Sequence, residues 1–408
     1  MYSLYPDITI IGAGPIGSLA AIHSDCKNHE VVILEQRKKI GFPDHCAGLI
    51  SKNGLELLGL KTIPSEIIQN DKIKGAKFFS PSGLNFIVKR KNSQAMVVNR
   101  ELFDRFLADE AEKKGAKILL ENKVTRISSN NKDRITLQYK DKMKNQIKNI
   151  DSFVGIIAEG GRGKIAQQAG FKKIPTKSLL PSYQVLVENI TDLDTEFVEM
   201  YTSNQIAPGF FAWIIPISDT SAKVGLASNN KLSVARLDQF INKHLPVKGR
   251  FNKSKIVKKF GGEVIIRGLR KRTSAHGLMI AGDVAGQTKA TTGGGIITGG
   301  LAGVFTGEIA ASAVKNNDNS YHFLKQYDNL WKNKLYSQFR IMSLFRWCIN
   351  RLNDKALDEA FSTVIDNDLM ELIEEKADID SQAEILLSLL KHPAVFKLIF
   401  KIIPNLQF

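Results

Sequence analysis

The chain has 408 residues, more than one hydrophobic core usually serves, and 43% of them are hydrophobic, which is typical of a globular protein with more than one domain. Its 57 lysine and arginine residues against 41 acidic residues leave a net charge of +16, which favours an anionic partner such as nucleic acid, a membrane or a phosphorylated substrate. The basic residues are dispersed without a recognisable nucleic-acid-binding module, and the three distant cysteines form no disulfide framework, so we expect no nucleic acid partner and a reducing, cytoplasmic location.

The first predicted element is a short buried strand at 7–11 that runs into a glycine-rich turn and a helix of small residues. In such a turn the first glycine permits a tight reversal, the second lets the backbone approach a pyrophosphate, and the third lets helix and strand pack closely. The N–H groups at the helix start then face the phosphates. The residues of this turn that we expect to bind a coenzyme are Gly12, Gly14, Pro15 and Gly17.

A second apolar strand at 31–34 ends in Glu35, which lies 18 residues after Gly17 and is followed by Gln36. A carboxylate at about this spacing accepts hydrogen bonds from the ribose of a dinucleotide. Strand, turn, helix, strand and carboxylate together predict dinucleotide binding, and FAD and NAD both fit. Because the glycines also interrupt the apolar start of the chain, it differs from a signal peptide, and no apolar run is long enough for a transmembrane helix.

The middle of the chain predicts a helix at 100–114, alternating strands to about Tyr139 and a polar hairpin turn or exposed loop at 140–149. Another buried strand follows at 156–158. From about 179 to 268 the apolar runs are short and rich in strand formers, which predicts an antiparallel sheet. Beyond about Ser320 the apolar spacing is helical.

A late strand at 278–281 ends in Gly282-Asp283 and leads through a triple glycine into another small-residue helix. An Asp at such a strand end can accept a hydrogen bond from the ribityl chain of a flavin, and the glycines let backbone lie beside the ring. The helix start can stabilise negative charge on a reduced flavin. NAD would need no such second loop, so the pattern favours FAD, with Gly282, Asp283, Gly294, Gly295 and Ile296 as candidate contacts.

Over roughly residues 7–306 the chain resembles the geranylgeranyl reductase family, within the para-hydroxybenzoate hydroxylase-like FAD-dependent oxidoreductases. The stretch Lys289-Ala-Thr-Thr-Gly-Gly-Gly-Ile296 is similar to archaeal members that saturate the isoprenoid chains of membrane lipids. The resemblance implies an α/β (α+β) fold: a Rossmann-like FAD-binding domain, an inserted antiparallel-sheet substrate domain and a C-terminal helical region. We expect these domains at 1–75, 97–175 and 268–315, at 76–96 and 176–267, and at 316–408, respectively.

The resemblance also implies roles for residues in the middle of the chain. Cys46 lies in a cysteine-glycine segment that the family places beside the active site, and it is our candidate catalytic residue. Phe211, Trp213, Ile215 and Pro216 resemble a substrate motif in which Tyr and Phe usually stand at the positions of Phe211 and Ile215, so the lipid pocket has lost a hydroxyl and a ring. The further coenzyme contacts implied are Cys46, Ala47, Gly48, Arg100, Val124, Ala158 and Gly160.

The implied activity is an FAD-dependent reduction of carbon-carbon double bonds in geranylgeranyl chains of isoprenoid diphosphates or archaeal diether lipids. A flavin monooxygenase and a membrane-docked electron-relay flavoprotein are the alternatives on the same scaffold. The external donor can be NAD(P)H, ferredoxin or another reductant, and we expect no metal. Lys52, Lys289 or Arg90 could meet an anionic head group, and the basic, apolar end of the chain suits either burial or peripheral contact with a membrane.

Overall fold

The computed structural model describes residues 5–44, 46–131, 134–229, 233–367 and 369–402. Strands in these ranges are β1 (Ile8–Ile11), β2 (Val31–Leu34), β3 (Leu49–Ser51), β4 (Ile68–Ile73), β5 (Gly75–Phe79), β6 (Asn85–Lys89), β7 (Ala95–Val98), β8 (Lys117–Leu119), β9 (Asn122–Asn131), β10 (Arg134–Asp141), β11 (Gln146–Ser152), β12 (Val154–Ile157), β13 (Leu179–Glu188), β14 (Phe197–Tyr201), β15 (Ala212–Pro216), β16 (Ala222–Ala227), β17 (Lys255–Ile265), β18 (Ser274–Ala275) and β19 (Leu278–Ile280). Helices are α1 (Pro15–Ile22), α2 (Lys52–Leu57), α3 (Arg100–Lys114), α4 (Lys164–Gln168), α5 (Ser233–Lys243), α6 (Ile296–Lys315), α7 (Tyr321–Trp331), α8 (Ser337–Ile349), α9 (Asp354–Asp366), α10 (Leu369–Lys376), α11 (Gln382–Lys391) and α12 (Pro393–Ile402).

A six-stranded sheet in the order β18-β19-β12-β1-β2-β8 carries both predicted coenzyme loops. All its neighbours pair in parallel except β18 and β19. One face packs on α1, α3 and α6, and the other on the meander β9-β10-β11. Because both faces are covered, β1, β2 and β12 are runs of Val, Ile and Leu with few polar residues.

Helix α6 is the long apolar helix at the centre of this layer. It has the length and hydropathy of a membrane span, but most of it is buried inside the molecule. A Cβ at Gly303 would lie 2.7 Å from the carbonyl oxygen of Ile16, and one at Gly307 would lie 2.2 Å from that of Ala20. The glycines therefore let α6 approach the backbone of α1, which brings the two coenzyme loops to one edge of the sheet.

A seven-stranded sheet in the order β17-β13-β16-β15-β14-β5-β6 forms the second layer. It is antiparallel apart from the parallel pair β14–β5. Helix α5, which the sequence pattern did not predict within the strand-rich segment 179–268, covers one face of this sheet. Strand β7 pairs instead with β3 and β4 in a separate three-stranded sheet.

The polar segment 140–149 forms a tighter hairpin than predicted. Strand β10 continues to Asp141 and β11 begins at Gln146, so only 142–145 make the turn. The pairing of Tyr139 with Lys148 and of Leu137 with Ile150 explains the difference, because β11 presents polar side chains outward while it hydrogen-bonds to β10.

The C-terminal part is helical, as predicted, and α7 continues into α8 through a π-helical segment, Lys332–Tyr336. Its buried Tyr327, Trp331 and Met342 belong to the same hydrophobic core as Ile8 and Leu19 of the first layer. The α/β fold with a Rossmann-like layer, an inserted, mainly antiparallel sheet and C-terminal helices is thus confirmed, whereas the exact domain boundaries stay a prediction.

Candidate functional site

The first glycine turn lies between β1 and α1 and opens to free space at one residue. A Cβ at Gly14 would meet no atom within 4 Å, whereas a Cβ at Gly17 would lie 1.9 Å from the carbonyl oxygen of Gly12. Gly12 has φ +102°, and a Cβ there would lie 2.6 Å from the carbonyl oxygen of Ala158. Among the described residues no side chain caps α1, so Pro15 begins a helix whose first N–H groups are available to an anion.

Glu35 follows β2 and lies against the same turn. Its carboxylate accepts a hydrogen bond from Ala13 N at 2.9 Å and another from Arg37 N at 2.7 Å. The side chain is buried, and two backbone donors leave lone pairs for the hydroxyl groups of a ribose.

The second loop lies directly on the first. A Cβ at Gly282 would contact Ile16 at 2.7 Å, so this loop rests on the residue between Gly14 and Gly17. Asp283 is an exposed residue, yet desolvation raises the pKa of its carboxyl group against the opposing charge of Arg100, so the residue faces a cleft rather than open solvent. Gly295 is the N-cap residue of α6 and lies beside Asp283. Within the described part of the chain, no side-chain hydrogen bond caps this helix start.

The loop after β12 completes this part of the site. Gly160 has φ +81° and open space where a side chain would be. Glu159 accepts hydrogen bonds from the N–H groups of Ile165 and Ala166 and thereby caps α4. Free space at two glycines, two uncapped helix starts and two carboxylates at strand ends fit a dinucleotide that carries a flavin.

The Cys46 turn lies on the side of the inserted sheet. Cys46 N donates to Asp44 Oδ1 at 3.0 Å, and the Cys46 sulfur accepts from Gly48 N at 3.4 Å. Gly48 has φ +77°, and its carbonyl oxygen accepts from Val98 N at 2.9 Å. The turn is thus fixed against the end of β7, immediately before α3.

Arg100 begins α3 and forms a bidentate ion pair with Asp104, at 2.9 and 3.2 Å. Although burial lowers the pKa of Arg100, the charge of Asp104 raises it and keeps the guanidinium ionised. Burial raises the pKa of Asp104 against the opposing effect of Arg100. Arg100 also interacts electrostatically with Cys46 and Asp283, so its positive charge acts on both the thiol and the second loop.

The sequence reasoning missed Lys223, a buried lysine in β16. Its ammonium group donates to the carbonyl oxygens of Ala47 at 2.9 Å and Val98 at 3.1 Å. Burial lowers its pKa to about 8, although Asp44 and Cys46 oppose that shift. A signal was present in the sequence, since a single Lys interrupts the apolar, small residues of 222–227 in a predicted strand.

The residues of the predicted substrate motif lie above the Cys46 turn. Ile215 and Trp213 pack with Ala47. The Trp213 ring lies over Gly225, and its Nε1 donates to Gln184 at 2.9 Å. Phe211 is instead buried in a stack with Phe210, 4.1 Å between ring centroids, and Pro216 is buried at the end of β15. The wall beside the thiol is therefore apolar.

The glycine loop at 289–295 is held by the C-terminal helices. Lys289 forms a buried ion pair with Asp380 at 2.8 Å. Arg346 of α8 donates to the carbonyl oxygens of Ala290 and Thr291, and burial lowers its pKa to about 10. We call these contacts of Lys289 and Arg346 the C-terminal clasp.

The surroundings of the remaining predicted residues differ. Gln36 is exposed, and Val124 is buried in the core under the six-stranded sheet. Lys289 forms an ion pair with Asp380, and Arg90 donates to the carbonyl oxygens of Glu375 and Ala377, so neither offers a free cation to a head group.

All three cysteines are free, and the described residues contain no group of three His, Cys, Asp or Glu that could hold a metal ion.

The family model of the geranylgeranyl reductase catalytic domain matches residues 179–264, from the start of β13 to the penultimate residue of β17. The chain is 33% identical over 354 residues to a digeranylgeranylglycerophospholipid reductase of Methanocaldococcus jannaschii, covering 86% of this chain and 88% of the relative. It is 30% identical to digeranylgeranylglycerophospholipid reductase 2 of Methanococcoides burtonii, covering 98% and 95%.

Solved structures agree with this relationship. A geranylgeranyl bacteriochlorophyll reductase-like protein of Thermoplasma acidophilum superposes with a TM-score of 0.85 at 25% identity, over 98% of this chain and 99% of the other. The chondrochloren halogenase of a myxobacterium, an FAD-dependent halogenase, has a TM-score of 0.70 at 15% identity over 96% and 97% of the two chains, which shows a common fold alone.

Proposed function

Because the chain belongs to the geranylgeranyl reductase family, we propose that it saturates carbon-carbon double bonds in the geranylgeranyl chains of an archaeal diether phospholipid and uses FAD as its coenzyme. The observation that carries the proposal is the meeting of the Cys46 turn with the apolar wall of Trp213 and Ile215. This arrangement suits an alkene, which offers no polar group to bind. The phospholipid is favoured over a free diphosphate by the names of the relatives.

We propose that the first glycine turn and Glu35 hold the adenylate half of FAD and that Gly282, Asp283 and the start of α6 hold its flavin half. Three features support this assignment: open space beside Gly14, the cleft-facing carboxyl group of Asp283, and the start of α6, which no described side chain caps. The same coenzyme suits the flavin dependence of the fold's relatives.

When bound and reduced, the flavin supplies a hydride to one carbon of the double bond. The Cys46 thiol gives its proton to the other carbon, so that an S–H bond breaks and a C–H bond forms, and Cys46 then regains a proton from water. Trp213 and Ile215 orient the chain and exclude water from the reacting carbons.

The test is anaerobic incubation of the chemically reduced, FAD-loaded protein with unsaturated diether phospholipid and, separately, with geranylgeranyl diphosphate. Mass spectrometry should show gains in steps of two hydrogens in the phospholipid. A gain only in the diphosphate would correct the substrate, and unchanged masses in both pools would refute the reductase. Oxygen-dependent NAD(P)H consumption with oxygen incorporation would instead indicate a monooxygenase.

Cys46→Ser tests the proton source, and Cys348→Ser is its matched control because Cys348 is exposed and far along the chain. We expect Cys46→Ser to lower turnover by about a hundredfold, the usual contribution of a positioned acid, while Cys348→Ser keeps wild-type turnover. Full turnover of Cys46→Ser would remove this thiol from the mechanism.

We also propose a cytoplasmic enzyme that contacts the membrane through α11 and α12. These helices expose Leu387, Leu390 and Phe396 beside Lys391 and Lys397, a combination that suits an anionic lipid surface. Most of α6 is buried, so the helix with the composition of a membrane span serves the core in this structure.

Sedimentation with anionic phospholipid vesicles tests that contact. Phe396→Ser should weaken binding by at least about tenfold, since each buried apolar side chain contributes about 1.5–3 kcal/mol and 1.4 kcal/mol is a factor of about ten. Met143→Ser, at an equally apolar residue exposed on the 142–145 turn, is the control and should leave binding unchanged. Equal binding of Phe396→Ser and wild type would place the membrane contact elsewhere.

A further inference from the structure

Lys223 occupies a central strand of the seven-stranded sheet. Its neighbours across the two adjacent strands are Leu186 and Ile215. The side chains of Ala222 and Val224 join the core beneath α5, so Lys223 points to the opposite face, where Trp213 packs on Gly225. A charged side chain therefore stands beside the apolar wall of the candidate active site.

The ammonium group of Lys223 ties the Cys46 turn to the end of β7. It donates to the carbonyl oxygens of Ala47 and Val98, and a Cβ at Gly48 would lie only 3.0 Å from its nitrogen. Gly48 N in turn donates to the Cys46 sulfur. Lys223 and the thiol are thus connected through a single turn of three residues.

The charge of Lys223 is left without a carboxylate in ion-pair contact among the described residues. Four charged or titratable groups act on it: Asp44 and Cys46 favour the ammonium form, whereas Arg100 and Lys258 oppose it. Because burial is the largest influence and lowers the pKa to about 8, Lys223 loses its charge just above neutral pH.

We propose that Lys223 is a positioning residue for Cys46: its ammonium group holds the Cys46–Gly48 turn and stabilises the thiolate that remains when Cys46 has given its proton to the substrate. The inference rests on the proposed function, in which Cys46 is the proton source. The two hydrogen bonds to carbonyl oxygens fix the position of the turn. The buried positive charge of the ammonium group stabilises the Cys46 thiolate.

The proton balance is complete without a further reactant. The S–H bond of Cys46 breaks as the C–H bond of the product forms, and the thiolate is held beside the ammonium group. A proton from water then restores the thiol, and Lys223 keeps its own proton throughout the cycle.

Alkylation of Cys46 by iodoacetamide tests the charge independently of lipid reduction. The FAD-loaded protein carries Cys348→Ser to remove the exposed thiol, while Cys26 reacts slowly because burial raises its pKa to about 11. Lys223→Met removes hydrogen bonds and charge, Lys223→Gln removes the charge but keeps a neutral N–H donor on a shorter side chain, and Lys223→Arg keeps the charge. Lys259→Met, at an exposed lysine in the neighbouring region of β17, is the control.

At pH 7 the Met and Gln variants should alkylate Cys46 about tenfold more slowly, and the Arg and Lys259→Met variants within about threefold of wild type. A merely structural lysine gives the opposite result, because a loosened turn exposes the thiol and speeds alkylation. Rates in Lys223→Gln equal to or above wild type would overturn the proposal. If no variant, wild type included, reduces lipid, the proposed function fails while the alkylation rates still decide the role of Lys223.

The pH profile of kcat/KM gives a second readout. Wild-type activity should fall as pH rises through about 8, where Lys223 loses its proton, and Lys223→Arg should remain active at higher pH because its guanidinium stays charged. Identical profiles for the two proteins would also overturn the proposal.

Discussion

Gly14 and Gly17 belong to one turn but have opposite surroundings. The Cβ position of Gly14 borders open space, whereas that of Gly17 is filled by the backbone of Gly12. Gly14 therefore leaves room for a ligand beside the turn, whereas Gly17 allows α1 to pack on β1. Stability and coenzyme affinity can be separated by changing one or the other.

We expect Gly17→Ala to lower the free energy of unfolding by at least about 2 kcal/mol, because the new methyl group would overlap a main-chain oxygen. Gly14→Ala should change it by no more than about 1 kcal/mol but weaken FAD binding by about tenfold, since the methyl group enters the space that we propose for the pyrophosphate. Urea titration and fluorescence titration with FAD measure the two effects. The interpretation of the turn fails if Gly14→Ala binds FAD as well as wild type does.

Lys223 also makes stability depend on pH. Burial lowers its pKa from 10.5 in the unfolded chain to about 8, so between these pH values the unfolded state binds more protons than the native state. The free energy of unfolding must therefore rise with pH across this window, by about 3 kcal/mol relative to a variant without the lysine. Urea titrations of wild type and Lys223→Met from pH 7 to 10.5 measure the difference, which a pH-independent result would contradict.

At the scale of elements, the C-terminal clasp holds the loop that begins α6. Lys289 and Asp380 are 91 residues apart in sequence; the Lys289 side chain is buried and that of Asp380 is partly buried. Arg346 reaches the same loop from α8, on the far side of the π-helical segment. The loop therefore depends for its conformation on helices outside the Rossmann-like layer.

Removing one partner of the clasp should be costly. We expect Asp380→Ala to lower the free energy of unfolding by about 3 kcal/mol, since it leaves the buried Lys289 ammonium uncompensated. Glu110→Ala, which breaks the exposed pair with Lys113, should cost less than about 1 kcal/mol. Urea titration measures the free energy of unfolding of both variants. Equal losses would show that the Lys289–Asp380 pair contributes no more than a surface ion pair.

Sequence patterns predicted the elements whose signal is local. The first glycine turn, the second one at Gly282 and the exact span of α3 were visible because strand, turn and helix follow one another within a few residues. Helix α5 was missed because its apolar residues are interspersed in a segment of strand formers. The pairing of Lys289 with Asp380 and of Lys223 with Val98 could not be predicted, since the partners lie 91 and 125 residues apart along the chain.

At the scale of the whole molecule, the C-terminal helices share one hydrophobic core with the first layer. Tyr327 and Trp331 are fully buried, and the Tyr327 hydroxyl group joins Gln287 to the carbonyl oxygen of Ile280. Gln287 accepts from Gly282 N, so this network ends at the second coenzyme loop. The helical region is therefore a structural part of the proposed coenzyme site.

Two truncations should therefore behave differently. A chain ending at Asn319 loses Tyr327 and Trp331 and should be insoluble or fail to bind FAD. A chain ending at Lys391 loses only α12 and the following residues, and it should fold and bind FAD while binding vesicles more weakly. Solubility, flavin absorbance and vesicle sedimentation measure the outcomes, and a folded, yellow 1–319 protein would contradict the shared core.

If α11 and α12 contact the membrane as we propose, the C-terminal clasp has a thermodynamic consequence. The clasp joins α8 and the segment between α10 and α11 to the loop beside Asp283. Binding of lipid at the C-terminal helices and binding of FAD at the loop are therefore thermodynamically linked. If adsorption of α11 and α12 to lipid changes the affinity for FAD by some factor, FAD must change the affinity for lipid by the same factor. Apoprotein and holoprotein would then partition differently between bilayer and cytosol, with reciprocity setting the ratio.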